Sequence, residues 1–341
     1  MSQSPILPVT EDSIEQAARR LIAGELVAFP TETVYGLGAD AAQAQAVAAI
    51  YRLKGRPADH PLIVHAADTD RIRGWARWNQ RAERLAQAFW PGPLTLILLR
   101  SEGAPDWACG GQPTIGVRVP AHPVASQLLR AFHRLGGTGV AAPSANRFGR
   151  ISPTTAQHVL DDLGREAPLI LDGGRCAVGL ESTIVDLSRD RPALLRPGGI
   201  EASRIEAALA EPLTSGGGQA PRVSGSLAAH YAPGRPLELL DARALPARAL
   251  ALELEGLRVA VWSRRPPDRS VWMWRSMPED PVACGQALFE CLRELDRSGA
   301  DCLLIEQPPS DPRWLAVNDR LGRAAVGAAQ LREPEPGPAT G

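Results

Sequence analysis

One repeated pattern constrains this chain more than any other. Short apolar runs of four to six residues recur, each ending in a turn that carries small polar or charged side chains. The runs are Leu26–Pro30, Pro61–His65, Leu94–Leu99, Gly116–Pro120, Gly139–Pro143, Leu169–Asp172, Thr183–Leu187 and Ala193–Arg196. Runs of this length, bounded by turn residues, read as buried strands. Between several of them, apolar residues spaced near 3.6 predict helices over Ser13–Ala23, Ala41–Leu53, Ala82–Phe89 and Thr154–Leu163. Asp12 or Ser13 is the expected cap of the first helix, and Gly24 its stop. The runs are too numerous and too close for a simple alternating βαβ series. A twisted mixed sheet with helices packed on it is the expected α/β architecture.

The pattern stops near residue 211, which sets the expected division of the chain: a first α/β domain over 1–211, a linker or lid over 212–236, a second α/β domain over 237–332 and a flexible tail over 333–341. The 212–236 segment is rich in Gly, Ser and Pro and longer than an ordinary connection, and such segments often serve as lids or binding loops. Beyond it, Leu257–Trp262, Val271–Ser276 and Cys302–Gln307 read as strands, with Pro281–Arg297 and Asn318–Ala329 as helices. No internal repeat is evident.

Composition excludes several classes. Lys plus Arg number 37 against 38 Asp plus Glu, so any anion site must be a local cluster and not a basic coat. No run reaches the ~20 apolar residues of a membrane span, and the first residues lack a signal peptide's basic and apolar regions. Cys109, Cys176, Cys284, Cys291 and Cys302 are scattered without a Cys-x-x-Cys, which predicts reduced thiols and a cytoplasmic location. No Cys/His spacing suits a protein-held transition metal. A P-loop and a Gly-x-Ser-x-Gly elbow are absent. Gly36-Leu-Gly38-Ala-Asp-Ala41 matches a dinucleotide loop weakly, with a tight turn as the alternative.

The polar clusters at the run ends carry the chemistry. Loops converging at one sheet edge are where ligand sites usually lie. Lys54 is the single lysine among 37 basic residues, a position where a compact ammonium does what a planar guanidinium cannot, or else a chance survivor. Lys54 and Arg56 flank a glycine and, with Arg196, supply the cationic clamp a triphosphate needs when no P-loop is present. Arg118 presents a planar fork suited to a carboxylate. Ser144 and Asn146 supply uncharged donors, and Thr33 and Ser182 do the same for a small polar substrate. His65 ends an apolar strand, and on its own such a residue is more often a core histidine than a ligand contact.

Taken in order, these motifs make the chain resemble the threonylcarbamoyl-AMP synthase family, in its longer, two-domain form. The matching residues are Pro30-Thr-Glu-Thr-Val-Tyr-Gly-Leu-Gly38, Lys54-Gly-Arg-Pro57, Pro61-Leu-Ile-Val-His65, Phe89-Trp-Pro-Gly-Pro-Leu-Thr95, Val117-Arg-Val-Pro-Ala-His-Pro123, Ala142-Pro-Ser-Ala-Asn146, Glu181-Ser-Thr-Ile-Val-Asp186 and Leu195-Arg-Pro-Gly198. His230-Tyr-Ala-Pro233 and Asn318-Asp-Arg-Leu-Gly322 resemble the long form only. The resemblance implies a YrdC-like twisted mixed sheet with helices around a concave cationic cavity, followed by a smaller C-terminal Rossmann-like α/β domain. It implies condensation of L-threonine, bicarbonate and ATP into threonylcarbamoyl-AMP with release of pyrophosphate, for tRNA modification next to the anticodon.

The same resemblance implies roles residue by residue. Thr33, His65, Arg118, Ala142 (through its backbone) and Ser182 match L-threonine contacts. Arg56, His60, Thr114, Ser144, Ser152, Arg196 and Tyr231 match ATP contacts. Lys54 with Arg56, and Ser144 with Asn146, match the catalytic pairs. Mg²⁺ is expected to come with ATP, with no metal ligand from protein side chains. A monomer is expected, free of membranes, passing its product to a tRNA threonylcarbamoyl transferase complex. Two features depart from the pattern: Ser226-Leu-Ala-Ala229 is uncharged where a basic residue often stands, and His60 takes the place of Asn or a similar polar residue. The rival expectations are a non-catalytic RNA-binding module that uses a concave face of Lys54, Arg56, Arg118 and Arg196, and a carbamoyl-transfer domain of a larger maturation enzyme.

Overall fold

A computed structural model describes residues 4–218 and 220–330. The tail expected over 333–341 lies outside the described residues. The chain divides into two compact units, 1–148 with 152–226, and 149–151 with 227–341, so the division falls inside the segment read as a linker.

The first unit contains strands β1 (Ile6–Pro8), β2 (Val27–Phe29), β3 (Gly36–Asp40), β4 (Ile63–His65), β5 (Leu94–Leu99), β6 (Thr114–Arg118), β7 (Val140–Ala141), β8 (Leu169–Asp172), β9 (Thr183–Asp186), β10 (Ala193–Arg196) and β11 (Thr214–Ser215). Its helices are α1 (Glu11–Ile22), α2 (Ala44–Lys54), α3 (Thr69–Ile72), α4 (Gln80–Phe89), α5 (Asp106–Cys109), α6 (Pro123–Arg134), α7 (Ala156–Leu163) and α8 (Ala202–Leu209). The eleven strands form one mixed sheet in the order β1-β8-β2-β3-β7-β4-β6-β5-β9-β10-β11.

Alternation along the strands separates two faces. Ala28, Ala141 and Ile170 point to one side, together with Val64, Leu96, Leu98, Ile115, Val117 and Val185. That side is packed by Ile50 of α2, Leu85 of α4, Val159 of α7 and Ile205 of α8. On the other side, Val27, Phe29, Val140, Leu169 and Leu171 meet Leu21 of α1 and Leu128 and Phe132 of α6. This second face is only half covered by those helices. Over β4, β6, β5 and β9 it carries a separate small cluster of Ile63, Ile97, Ile184 and Val223.

Local signals explain several elements. Thr10, not Asp12 or Ser13, caps α1: its hydroxyl accepts from the Ser13 N–H while the Ser13 hydroxyl accepts from the Thr10 N–H. Ser13 is therefore the third helical residue of a reciprocal cap, which sets the start two residues earlier than its apolar spacing predicts. Gly36-Leu-Gly38 is neither a phosphate loop nor a turn; it is the start of β3, paired with β2. A Cβ on Gly38 would stand 2.8 Å from Phe29 Cε1 and 3.0 Å from Val140 Cγ1, so glycine is required there by a cross-strand ring.

The second unit has strands β12 (Leu237–Leu240), β13 (Val259–Ser263), β14 (Met273–Ser276) and β15 (Cys302–Glu306), and helices α9 (Leu245–Leu254), α10 (Pro281–Arg297) and α11 (Leu315–Gln330). Its strands are all parallel, in the order β12-β15-β13-β14. Leu245, Ala249 and Leu252 of α9 cover Val259, Val261, Cys302 and Leu304. All five cysteines of the chain are buried free thiols. Gly38→Ala is expected to lower stability by about 1–3 kcal/mol through overpacking against Phe29; a denaturation midpoint equal to wild type would contradict that assignment of the glycine.

Candidate active site

The register of the sheet assembles the site. His65 pairs with Arg118 across β4 and β6, and with Val140 across β4 and β7. Leu96 pairs with Val117, which sets Thr95 beside Arg118. Thr95 pairs with Ile184, and Ile184 with Arg196 at an irregular step of β10. The row His65, Arg118, Thr95, Ile184, Arg196 thus crosses five strands. His65 and Thr95 share parity with Ile63 and Ile97, and Arg118 with Gly116, so they lie on the half-face the helices leave bare. A Cβ on Gly116 would meet Ile97 at 3.2 Å and Ile63 at 3.3 Å, so these two side chains close over the glycine beside Arg118.

Arg118 is fixed from three sides. Its Nη2 donates to Glu32 Oε1 at 2.6 Å, its Nη1 to Thr33 Oγ1 at 3.0 Å and its Nε to the Gly92 carbonyl at 3.3 Å. Glu32 Oε2 accepts from the Ala121 N–H. The loop that delivers Glu32 and Thr33 is tied by Thr31, whose hydroxyl donates to the Val34 carbonyl at 2.6 Å and accepts from the N–H groups of Thr33 and Val34. Thr31 has thereby spent its one proton, so the 2.8 Å contact between the two threonine hydroxyls carries the proton of Thr33. Thr33 Oγ1 therefore offers only acceptor capacity beyond Thr31.

His65 is buried, with Nδ1 at 3.1 Å from the Ile63 carbonyl. Burial first, and the Arg118 charge second, push its pKa down to about 3, so the imidazole is neutral. Ser182 Oγ contacts Thr95 Oγ1 at 2.7 Å and accepts from Arg196 Nη2 at 3.1 Å; Arg196 also donates twice to the Ser182 carbonyl. Ala142 is placed beside this row by its N–H bond to the Ile63 carbonyl.

The second group of expected residues surrounds α2 and the Ser-Ala-Asn turn. Gly55 ends α2 with φ +66°, so Lys54 closes the helix and Arg56 leaves it in a new direction. Lys54 is buried, its Nζ donating to the carbonyls of Ser144 at 2.6 Å and Asn146 at 2.5 Å. Burial lowers its pKa well below the usual lysine value, and the Arg56 charge adds to this. The ammonium thus holds the turn that presents Ser144 and Asn146, a role the expected phosphate clamp did not include. The Asn146 amide donates to the Arg147 carbonyl. Arg56 donates to the Pro61 carbonyl and to Ser224 Oγ, and its guanidinium lies over Phe148. Arg196 Nη1 donates to the Ser224 carbonyl at 2.8 Å. Ser224 therefore links the two guanidinium groups, while Val223 packs on Ile63, Ile97 and Ile184.

The remaining expected residues fall as follows. His60 is half-buried, edge-on to Phe148, and burial lowers its pKa. Thr114 is buried at the start of β6, opposite Leu99. Ser152 donates to Glu181 Oε1 at 2.5 Å. Tyr231 belongs to the second unit, where it is buried against His230 and Phe289 with the Arg320 guanidinium over its ring, at φ +60°. Sequence reasoning gave no role to Glu32, Thr95 or Ser224. Glu32 and Thr95 stand inside quoted motifs, but nothing in their spacing announces their partners.

Comparison with known proteins also divides the chain in two, with the boundary near residue 199 and not at 226. Residues 19–198 match a sequence family described as "Telomere recombination", and residues 200–326 match "Threonylcarbamoyl-AMP synthase, C-terminal domain". The chain is 39% identical over 329 residues to the threonylcarbamoyl-AMP synthase of Pyrococcus abyssi, covering 93% of this chain and 95% of that one. It is 38% identical over 335 residues to the Bacillus subtilis enzyme of the same name, covering 94% and 95%. The crystal structure of P. abyssi Sua5 complexed with L-threonine superposes with a TM-score of 0.87 at 37% identity, covering 95% of this chain and 98% of that one.

Two outcomes follow from the geometry. Lys54→Arg keeps the charge but replaces a compact ammonium seated between two carbonyls by a longer planar group, and turnover is expected to fall at least about tenfold; a wild-type rate would make the lone lysine an accident. The folded chain keeps His65 neutral whereas the unfolded chain takes up a proton below the ordinary value of 6.5, so stability is lost as pH falls from 6.5 toward 3. His65→Gln is expected to flatten the dependence in that window by up to about 1.4 kcal/mol per pH unit. An unchanged acid slope in chemical denaturation would contradict the assignment.

Proposed function

The chain belongs to the threonylcarbamoyl-AMP synthase family, and from that premise we propose how its bare half-face forms threonylcarbamoyl-AMP from L-threonine, bicarbonate and ATP. The threonine carboxylate sits on Arg118, whose bonds to Glu32, Thr33 and Gly92 leave one N–H on each terminal nitrogen. Thr33 Oγ1 accepts from the amino group. The neutral His65 and the small apolar patch of Ile63 and Ile97 border the same place. The amine nitrogen bonds to the bicarbonate carbon and water leaves. An oxygen of the resulting carbamate then bonds to the α-phosphorus as the bond to the bridging oxygen breaks, and pyrophosphate departs with that electron pair.

Arg56 and Arg196 receive the phosphates. Both donate to Ser224, whose hydroxyl and carbonyl oxygens take the positions proposed for phosphate oxygens, so nucleotide entry shifts residues 220–226 on this reading. Ser144 and Asn146 donate to the nucleotide from the turn that Lys54 holds. Thr114, Ser152 and His60 complete the ATP contacts on this reading. The donors gathered here are hydroxyl, amide and guanidinium groups, which suit phosphate oxygens; Mg²⁺ therefore travels with ATP and supplies charge neutralisation between phosphates. Positioning and charge stabilisation carry the rate, since the carbamate is short-lived in water and gains from enclosure.

The observation that supports this reading is the row Arg118, Thr95, Ile184 and Arg196 on one face, with Ser182 hydrogen-bonded to both Thr95 and Arg196, so that the residue proposed for the carboxylate and one proposed for phosphate share that face. An RNA-binding face is not favoured, because Arg118 and Arg196 are 4% and 3% exposed and a backbone-tracking surface needs accessible cations. The product passes to a tRNA threonylcarbamoyl transferase for modification next to the anticodon. The chain acts as a monomer in the cytoplasm; among the described residues no helix is long and apolar enough to cross a membrane.

Pyrophosphate release is expected only with ATP, bicarbonate, L-threonine and Mg²⁺ together, and full-rate release from ATP alone would overturn the role of Arg118. L-serine, lacking the methyl group, is expected to compete at a disadvantage of about 1–3 kcal/mol in kcat/KM.

A further inference from the structure

Glu32 is a buried carboxylate that the reaction as described does not use. It is tied at both oxygens, Oε1 to Arg118 Nη2 at 2.6 Å and Oε2 to the Ala121 N–H at 3.1 Å, and its own carbonyl accepts from the Val178 N–H. Ala121 lies three residues beyond Arg118, just past the end of β6, so one carboxylate grips both the Arg118 side chain and the backbone that follows its strand. The Thr31 turn that bonds Thr33 and Val34 fixes the direction from which Glu32 enters.

We propose that Glu32 is the positioning residue for L-threonine: by holding Arg118 Nη2 and the Ala121 N–H together, it fixes the plane of the guanidinium so that its two remaining terminal N–H groups face the substrate carboxylate. The inference rests on the function proposed above. Arg118 has five N–H donors; three are bound to Glu32, Thr33 and Gly92. Of those three partners only Glu32 carries charge, and the other two are neutral oxygens at longer distance. A guanidinium in a nearly water-free site is costly without a counter-charge, and a fork that rotates loses the two-point match to a carboxylate. Glu32 also balances Arg118 before the substrate arrives, so the site is organised in the empty enzyme and does not have to form on binding.

The role is specific to one substrate. Arg118 is bonded to none of the groups proposed to hold phosphate, so loosening it acts on threonine and spares ATP. Glu32→Gln keeps the size of the side chain but loses its charge and replaces one acceptor by a donor. Glu32→Asp keeps the charge and withdraws it by one methylene.

The experiment measures KM for L-threonine and for ATP, with kcat, in the full-length wild type and both variants, together with direct L-threonine binding by calorimetry. Expected for Glu32→Gln is a rise of at least tenfold in threonine KM, a matching loss in threonine affinity and an ATP KM within twofold of wild type. Glu32→Asp is expected to fall between Gln and wild type, and it decides the question alone if Glu32→Gln does not fold. A threonine KM within twofold of wild type, or ATP and threonine KM rising together, would overturn the positioning role. If the wild type itself neither binds threonine nor needs it for pyrophosphate release, the proposed function fails first, and the two failures are told apart by that control.

Discussion

The strand register over β7, β4, β6, β5, β9 and β10 is the constraint on which the site depends. Because side chains alternate from face to face, a slip of one residue in any of these pairings would send His65, Arg118 or Thr95 into the helix-covered core. The pairing is held by the face that the helices do cover. Val64, Leu96, Leu98, Ile115, Val117 and Val185 are all buried there, so moving them out would expose a whole row of apolar side chains. The polar residues of the other face are thus placed by the burial of their apolar neighbours. Fold and site are two readings of the same alternation.

The buried cations are organised before any ligand arrives. Lys54 is seated on two carbonyls, Arg118 on Glu32 and two neutral oxygens, Arg196 on Ser182 and Ser224. Desolvating these charges is expensive, and oriented dipoles or a counter-ion offset it. On the function proposed above, such donors need little rearrangement when charge develops on phosphate. Ser224 contributes in the same way, its hydroxyl accepting from Arg56 and its carbonyl from Arg196.

Much of this was legible from sequence because several of the proposed site residues, His65, Arg118 and Arg196 among them, sit at the end of an apolar run, where a change from apolar to polar is conspicuous. The mixed sheet, the second α/β unit, helix α10 and the grouping of Arg118, Ser182 and Arg196 follow from that signal. Other features left no trace. The partners of Lys54 are backbone carbonyls, and backbone carbonyls have no letter in a sequence. Glu32 stands between two threonines in an aperiodic loop, so its pairing with a residue 86 positions away is invisible to local pattern. Gly36 and Gly38 mimic a nucleotide loop, and the reason for glycine at position 38, a ring from the neighbouring strand, lies across the sheet. Helix α6 did leave a signal that the reading passed over, Pro123 in its first turn behind the His122 cap. Composition alone marks residues 212–236 as unusual but cannot say that Ser224 joins the first unit while Tyr231 joins the second.

The account stands or falls on both substrates meeting on the bare half-face of the first unit. A crystal structure of the chain with L-threonine and a non-hydrolysable ATP analogue tests this directly. The account predicts the threonine carboxylate on the two remaining N–H groups of Arg118 and the triphosphate within hydrogen-bond distance of Arg196 and Arg56, with Ser224 displaced. Nucleotide bound away from β4, β6, β5 and β9, or threonine bound without Arg118, would contradict it.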